Sequence, residues 1–376
     1  MYPHTELKFL FRDGISSRRH HLLTEEIRWL NADIFCLQEL DDWYYNGIID
    51  KFMDSLGYSG VYMKKADPKL DGLAIFYRRS KFKKAKTDMV LLSDCIDKLT
   101  GDKKMTGYKT GHVLLMVALE SLEDGSILAI GNTHSLCHLG KHVITTTAQI
   151  LCAAQAMLKF VQSLQSTTDD RVPYVLCGDF NIEPQYPIYN LLEEGTLNKD
   201  TLRQLDYIVP DPTFTVEDKL CKEEEKLLSL IEEHLTSSPL KVKSAYNRVL
   251  DKESGYTSYC LGQGSVLDYI WLSADIEPVS VLEVPKPDSI NPHGAIPSNT
   301  YPSDHFSLKA ELDKESGYTS YCLGQGSVLD YIWLSADIEP VSVLEVPKPD
   351  SINPHGAIPS NTYPSDHFSL KAELVY

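Results

Sequence analysis

A chain of 376 residues with 43% apolar content has material for one large core or two moderate ones, and reads as a soluble globular protein. Its net charge of −17 argues against avid, sequence-independent duplex binding, which needs an extended basic face, but leaves room for a small phosphate ester held mainly through metal. Met1 to Phe11 mixes His4, Glu6 and Lys8 into its apolar residues, and no later stretch approaches the ~18 apolar residues of a bilayer span, so no membrane partner is expected. None of the eight cysteines forms a Cys-x-x-Cys pair, and Cys36 and Cys177 sit inside apolar runs. Reduced thiols, no zinc, and an intracellular, cytoplasmic setting follow, with mitochondrion and nucleus left open.

In chain order, Arg19 to Leu30 has the apolar spacing of an amphipathic helix, Asp33 to Leu37 reads as a buried strand, and Trp43 to Leu56 as a second helix. Strands are expected over Tyr58 to Met63, Leu73 to Tyr77, Val113 to Leu119 and Ile127 to Thr133. A long helix spans Val143 to Leu164, Pro173 to Cys177 is a strand, and Ile188 to Leu192 a short helical turn. Glu217 to Leu235, laced with glutamates, reads as an exposed helix whose charge run is a solvated face. Strands recur in groups without strict strand-helix alternation, which favours an α/β (α+β) class in which two packed sheets are flanked by helices.

Asp251 through Leu312 then returns unchanged as Asp313 through Leu374, an offset of 62 residues, followed only by Val375 and Tyr376. One copy carries a net charge of −6, so the chain without its second copy stands at −11, still acidic. Solenoid units vary and need several neighbours to bury a core. A single perfect copy of what looks like a domain's final strands is instead read as one catalytic domain over 1–312 and a duplicate over 313–376 that is not an independent domain.

Chemistry-bearing side chains gather at strand ends. Glu39 closes the run Ile34 to Leu37, and a magnesium site needs only one or two such carboxylates because phosphate and water fill other positions. In Gly178-Asp179-Phe180-Asn181, strand alternation puts Asp179 and Asn181 on one side, able to orient a water and a phosphoryl oxygen together; the same residues also suit an Asx-type turn. Asp268 and His305 make sense as a pair, the carboxylate fixing the imidazole tautomer and favouring imidazolium towards phosphate, with Asp304 beside them. Asn132-Thr133-His134 ends another strand and offers a further phosphate-facing donor. The basic run Arg78 to Lys84 reads as a solvated turn before a polynucleotide track.

Taken in this order, the motifs Cys36-Leu37-Gln38-Glu39, Asp71-Gly72-Leu73-Ala74-Ile75-Phe76-Tyr77, Asn132-Thr133-His134, Gly178-Asp179-Phe180-Asn181, Leu267-Asp268-Tyr269-Ile270 and Pro302-Ser303-Asp304-His305 resemble the endonuclease/exonuclease/phosphatase superfamily. Within it they are similar to the carbon-catabolite-repressor-type branch of deadenylases, nocturnin, Angel proteins and 2′-phosphodiesterases, and Pro187 to Gly195 looks most like Angel proteins. The resemblance implies a DNase I-like, two-layer β-sandwich flanked by helices. It implies Mg2+, with Mn2+ as a substitute, on Glu39; Asp179 and Asn181 at the attacking water and phosphate; His305 held by Asp268; Asp304 and His134 completing the catalytic set; and Gly72 and Asn132 beside Asn181 at the substrate. The reaction implied is hydrolysis of phosphoesters at RNA 3′ ends or in small adenylates, with single-stranded RNA or an adenylate as the binding partner. A catalytically impaired RNA- or protein-binding member and a sugar, inositol or nucleotide phosphatase are the rival expectations.

The chain departs from the family in three places. The family's first strand carries an asparagine at the metal, whereas nothing like that strand precedes Arg19 and Met1 to Ser17 contains no asparagine, so the expectation is either that the sequence begins downstream of that strand or that the protein lacks the strand and one site residue. Ser135 replaces an apolar residue, and Thr146 stands where relatives often have a basic one. The duplicate supplies Asp330, Asp366 and His367 but no partner for Glu39 or Asp179, so the first copy is expected to complete the site.

Overall fold

The computed structural model describes residues 15–66, 69–101, 110–137, 143–165, 171–195, 222–234, 240–260, 263–285, 302–314, 339–343 and 372–375. The segment in which a first strand was sought, before residue 15, lies outside the described residues, as do Asp330, Asp366, His367 and the edge strand expected over Ser327 to Trp333.

Two sheets carry the fold. One has three strands in the order β1 (Ile34–Asp41), β3 (Asp71–Arg78), β2 (Tyr58–Lys64). The other runs β4 (Phe82–Leu91), β5 (Val113–Ser121), β6 (Ile127–His134), β7 (Tyr174–Asp179), β11 (Asp268–Leu272), β8 (Lys243–Ser244). Side-chain alternation explains why their central strands look apolar throughout. On β5, Val113, Leu115, Val117 and Leu119 enter a core shared with Leu73, Ile75 and Tyr77 of β3, so the two sheets face each other there. The alternate residues Leu114, Met116 and Ala118 point the other way, into helices. Ala74 and Phe76 of β3 do the same on the far side.

The outer layers are helical. Helix α1 (Ile15–Leu30) and the run α2, made of Asp42–Tyr44, a wider π turn Tyr45–Ile49 and Asp50–Ser55, set Ile27, Leu30, Tyr45, Ile49 and Met53 on the three-stranded sheet. Behind the six-stranded sheet lie α3 (Leu92–Thr100), α4 (Val143–Gln165), α5 (Pro187–Glu194) and α6 (Lys222–His234). Contrary to the reading from hydropathy, α4 is long and apolar enough to cross a membrane by length and composition; most of it is buried inside this core. Helix α6 is not simply exposed either, because Leu227, Leu228 and Ile231 join the same core and Glu224 is buried with them, while Glu225 is exposed.

The basic run Arg78 to Lys84 turns into β4 instead of ending as a loop. Its charges are used internally: Arg78 and Lys81 pair with Asp33, Arg79 with Asp54, and Lys83 with Glu120. Lysines on an outermost strand also discourage further strand pairing.

After the short helix α7 (Ala245–Leu250), the first copy continues with the hairpin β9 (Ser258–Cys260) and β10 (Gln263–Ser265), then β11, β12 (Ile276–Val281) and β13 (Ala310–Lys314). Two compact units are separated at Asp313: Met1–Asp313 and Lys314–Tyr376. Within the second unit, β14 (Glu339–Val343) pairs antiparallel with β15 (Ala372–Val375). These are the duplicates of β12 and β13, which pair with each other in the first copy. Corresponding segments of the two copies thus pair within each unit.

Candidate active site

Strand register assembles the first part of the site. β6 and β7 are parallel with His134 opposite Asp179, and β11 is antiparallel to β7 with Asp268 opposite Asp179. Three site residues from distant parts of the chain therefore end on one sheet edge. Gly178 makes the approach feasible: at φ 143°, an added Cβ would lie 1.9 Å from the Thr133 carbonyl oxygen.

Beyond Asp179 the backbone turns instead of continuing as a strand. Asn181 adopts φ 51° and its N–H donates to Asp179 Oδ1 at 2.9 Å, an Asx-type turn. Its side-chain amide donates to Asp179 Oδ2 at 3.1 Å and to the Ser135 carbonyl at 3.0 Å. Asp179 and Asn181 thus meet directly, through a turn and not through strand alternation.

Asp268 Oδ2 and His305 Nδ1 lie 2.8 Å apart. The backbone under them is fixed by Thr257, whose hydroxyl accepts the N–H groups of Leu267 at 2.8 Å and Asp268 at 3.0 Å. Ser258 forms a bridge with His305, and Tyr259 N–H donates to the Asp304 carbonyl at 2.8 Å.

Glu39 comes from the other sheet. A bulge between Leu37 and Leu40 breaks the β1–β3 register, and Glu39 sits at φ 56°, a left-handed conformation that a non-glycine residue adopts at a cost of roughly 1–2 kcal/mol. Its side chain is exposed to solvent.

Asn132 and Gly72, expected at the substrate, both make structural contacts. Asn132 is fully buried and donates to the carbonyls of Leu37 and Ala74, each at 3.0 Å, while its oxygen accepts from Gln38 at 2.8 Å. It ties β6 to β1 and β3, and with it one sheet to the other, beneath Glu39. Gly72 is buried, and a Cβ there would meet the Met63 carbonyl oxygen at 2.4 Å and the Tyr62 ring at 2.7 Å. It serves close packing.

Reading the chain as a sequence missed Lys65 and His112. Lys65 is buried at the end of β2, with Nζ 2.6 Å from Asp71 Oδ2 and 3.1 Å from His134 Nδ1. An ammonium only donates, so His134 Nδ1 is the acceptor and its proton resides on Nε2, 3.4 Å from Asp179 Oδ2. Burial first, then the charge of Lys65, holds His134 well below the ordinary histidine value, so it is neutral. His112, its edge-on neighbour at 6.0 Å, is likewise driven down to about 3 by burial and by Lys65. No local signal marks Lys65, because His134 lies 69 residues away.

The carboxylates crowd one another. Burial first, then Asp268, pushes Asp179 up to about 8. Burial, Asp304 and Asp71 raise Glu39 against the counter-pull of Lys65. Burial opposes charge on His305, yet Asp268 by charge and hydrogen bond, with Asp179 and Asp304, raises it to about 10. It is an imidazolium at neutral pH. Ligand atoms of Asp179, Asp268 and His305 lie within 4.8 Å of one another, but a protonated imidazole has no lone pair for a metal. The oxygen donors of Glu39 and Asp304, whose mutual repulsion a divalent cation would relieve, fit a hard ion better.

Comparison with known proteins gives the family. The model of the Endonuclease/Exonuclease/phosphatase family matches residues 14–226. The chain belongs to this family. It is 27% identical over 308 residues to 2′,5′-phosphodiesterase 12 of Mus musculus, covering 78% of this chain and 45% of that relative. It is 27% identical over 325 residues to Carbon catabolite repressor protein 4 homolog 4 of Arabidopsis thaliana, covering 78% of this chain and 70% of the relative. The chain thus spans about half the length of the mouse relative. Among solved structures, ANGEL2, a 2′,3′-cyclic phosphatase in complex with adenosine-2′,3′-vanadate, superposes with a TM-score of 0.62 at 21% identity, over 79% of this chain and 86% of that one. The human Nocturnin catalytic domain gives 0.51 at 24% identity, over 79% and 87%. These likenesses place the family member in the carbon-catabolite-repressor-type branch and give it the DNase I-like α/β fold.

Proposed function

We propose that this chain is a metal-dependent phosphodiesterase that hydrolyses RNA 3′ ends or small adenylates in the manner of a 3′-exoribonuclease. The observation that carries the reading is the convergence of Asp179, held by Asn181 and His134, with the Asp268–His305 pair on one sheet edge. The names of its relatives, a 2′,5′-phosphodiesterase and a carbon catabolite repressor protein, support the substrate class.

In this reading Glu39 and Asp304 would hold Mg2+ or Mn2+, which supplies charge neutralisation and polarises a phosphoryl oxygen when bound. Asp179, a carboxyl raised to about 8, is poised near neutrality to take a proton from the attacking water. Asn181 and His134 fix its two oxygens so that the acceptor faces one way. The His305 imidazolium, oriented through Nδ1 by Asp268, offers its other N–H to the phosphoryl oxygen on which negative charge develops. Lys65 adds positive charge behind His134. Of the repeated segment, the first copy supplies Asp268, Asp304 and His305 to these roles, and the duplicate over 313–374 takes no part in this reading.

The test is release of mononucleotide from oligo(A) by the full chain with Mg2+, compared with Asp179→Ala and with excess chelator. Hydrolysis should fall at least about 100-fold in both cases. Undiminished hydrolysis after either change would remove this reading.

A further inference from the structure

A second concavity of about 550 Å³ lies beside the cluster just described, within the size range of small-molecule sites. Its walls share chain segments with the site: Glu183 stands two residues after Asn181, and Val266 two before Asp268. The stretch from Tyr256 to Tyr259 belongs to both. Tyr256 lines the cavity, while the next residue, Thr257, holds the backbone of Asp268.

Tyr256 is 37% exposed. One side of it lies against the backbone of Gly264, where an added Cβ would come within 2.1 Å of Cγ and 2.4 Å of both Cδ atoms. The Tyr259 ring steadies it at 6.3 Å. A ring backed by glycine and otherwise open onto a cavity is a platform for a flat partner. The charge of the walls narrows what that partner is. Glu253 is already held by the hydroxyls of Tyr189 and Ser244, while Glu183 accepts from Gln185 at one oxygen and keeps the other. No lysine or arginine is among the described lining residues, so a phosphate is disfavoured while a group with N–H donors is welcome at Glu183. An aminated nucleobase has both the flat face and the donors.

We propose that this cavity is a nucleobase subsite, in which Tyr256 stacks a base of the substrate outside the reacting phosphate and Glu183 with Gln185 meet its exocyclic amino group. The proposal rests on the phosphoester reading and deepens it. Bases with an amino group are preferred over uracil, and stacking contributes affinity without touching the chemical step.

The test is steady-state kinetics of the full chain on oligo(A), oligo(U) and an abasic oligomer of equal length, for wild type, Tyr256→Ala and Tyr256→Phe. Loss of one stack should raise KM for oligo(A) roughly 5- to 150-fold with kcat nearly unchanged. Tyr256→Phe, which keeps the ring, should behave as wild type, and the abasic oligomer should not distinguish the three proteins. Glu183→Gln should narrow the preference for oligo(A) over oligo(U). An unchanged KM for oligo(A) in Tyr256→Ala, or an equal change on the abasic oligomer, would overturn the subsite. Should Tyr256→Ala not fold, Tyr256→Leu gives the same comparison. If wild type hydrolyses none of the three oligomers, the phosphoester reading fails by itself; calorimetric titration with adenosine then judges the subsite, which stands if Tyr256→Leu abolishes binding and falls if wild type binds no better.

Discussion

At the scale of single residues, the strained positions coincide with the candidate chemistry. Glu39 and Asn181 are two of the four non-glycine residues with positive φ among the described residues. A strained backbone persists where the surroundings over-determine it, and here the Gln38–Asn132 brace and the Asp179 carboxylate do so. Glu39→Gly should therefore release up to about 1 kcal/mol of strain while abolishing a cation ligand. The expected outcome is a melting temperature no lower than wild type with hydrolysis down at least about 100-fold; a matched loss of both would show that Glu39 is only structural. The Asp268–His305 pair makes a pH prediction. A histidine raised to about 10 from an unfolded value near 6.5 stabilises the fold fully below the lower value and loses that contribution as pH climbs through the upper one. The melting advantage of wild type over His305→Gln should shrink between pH 7 and pH 10. An advantage that grows over that interval would contradict the assignment.

At the scale of elements, the parallel pair β6–β7 and the antiparallel pair β7–β11 do most to bring the site together, since their registers set His134 and Asp268 on either side of Asp179. Gly178 is the joint on which this depends. Gly178→Ala puts a methyl group 1.9 Å from a backbone oxygen that no side-chain rotation can move. Overpacking of that kind, added to a left-handed φ, should cost at least about 3 kcal/mol, visible as a clear drop in melting temperature. A neutral Gly178→Ala would mean that the two strands do not approach as described. The same strands show how far periodicity reaches. The alternation of β3 and β5 was readable as buried strand, whereas the lysine-rich β4 had no apolar pattern to announce it and became a strand through pairing with β5.

At the scale of the whole molecule, the duplicated segment raises the question of which strands the core needs. The described core clusters draw on residues up to Ala310, and the second unit is represented by one antiparallel pair. We propose that residues 314–376 are dispensable. A chain ending at Asp313 should keep the main melting transition and the hydrolytic activity of the full chain, and should aggregate less, because no spare strand edges are presented. Loss of folding on that truncation, read by circular dichroism, would show that the second copy supplies strands to the core.

Chemical identity was legible from the sequence alone: carboxylates, amide and imidazole at strand ends, in a fixed order, and a mixed fold of two sheets with helices outside. Such features are local, because strand alternation and turn chemistry act over a few residues. Which of those side chains work at the site and which hold it up was decided only by tertiary contacts. Asn132 reads in the sequence as a substrate donor, and the fold shows three hydrogen bonds across the two sheets that use both ends of its amide. Lys65 carries no mark in the sequence, and only the fold brings Asp71 and His134 around it. The physical reason is the same in both cases. A polar group's role is set by where its donors and acceptors find partners, and in a folded chain those partners arrive from segments that no local pattern connects.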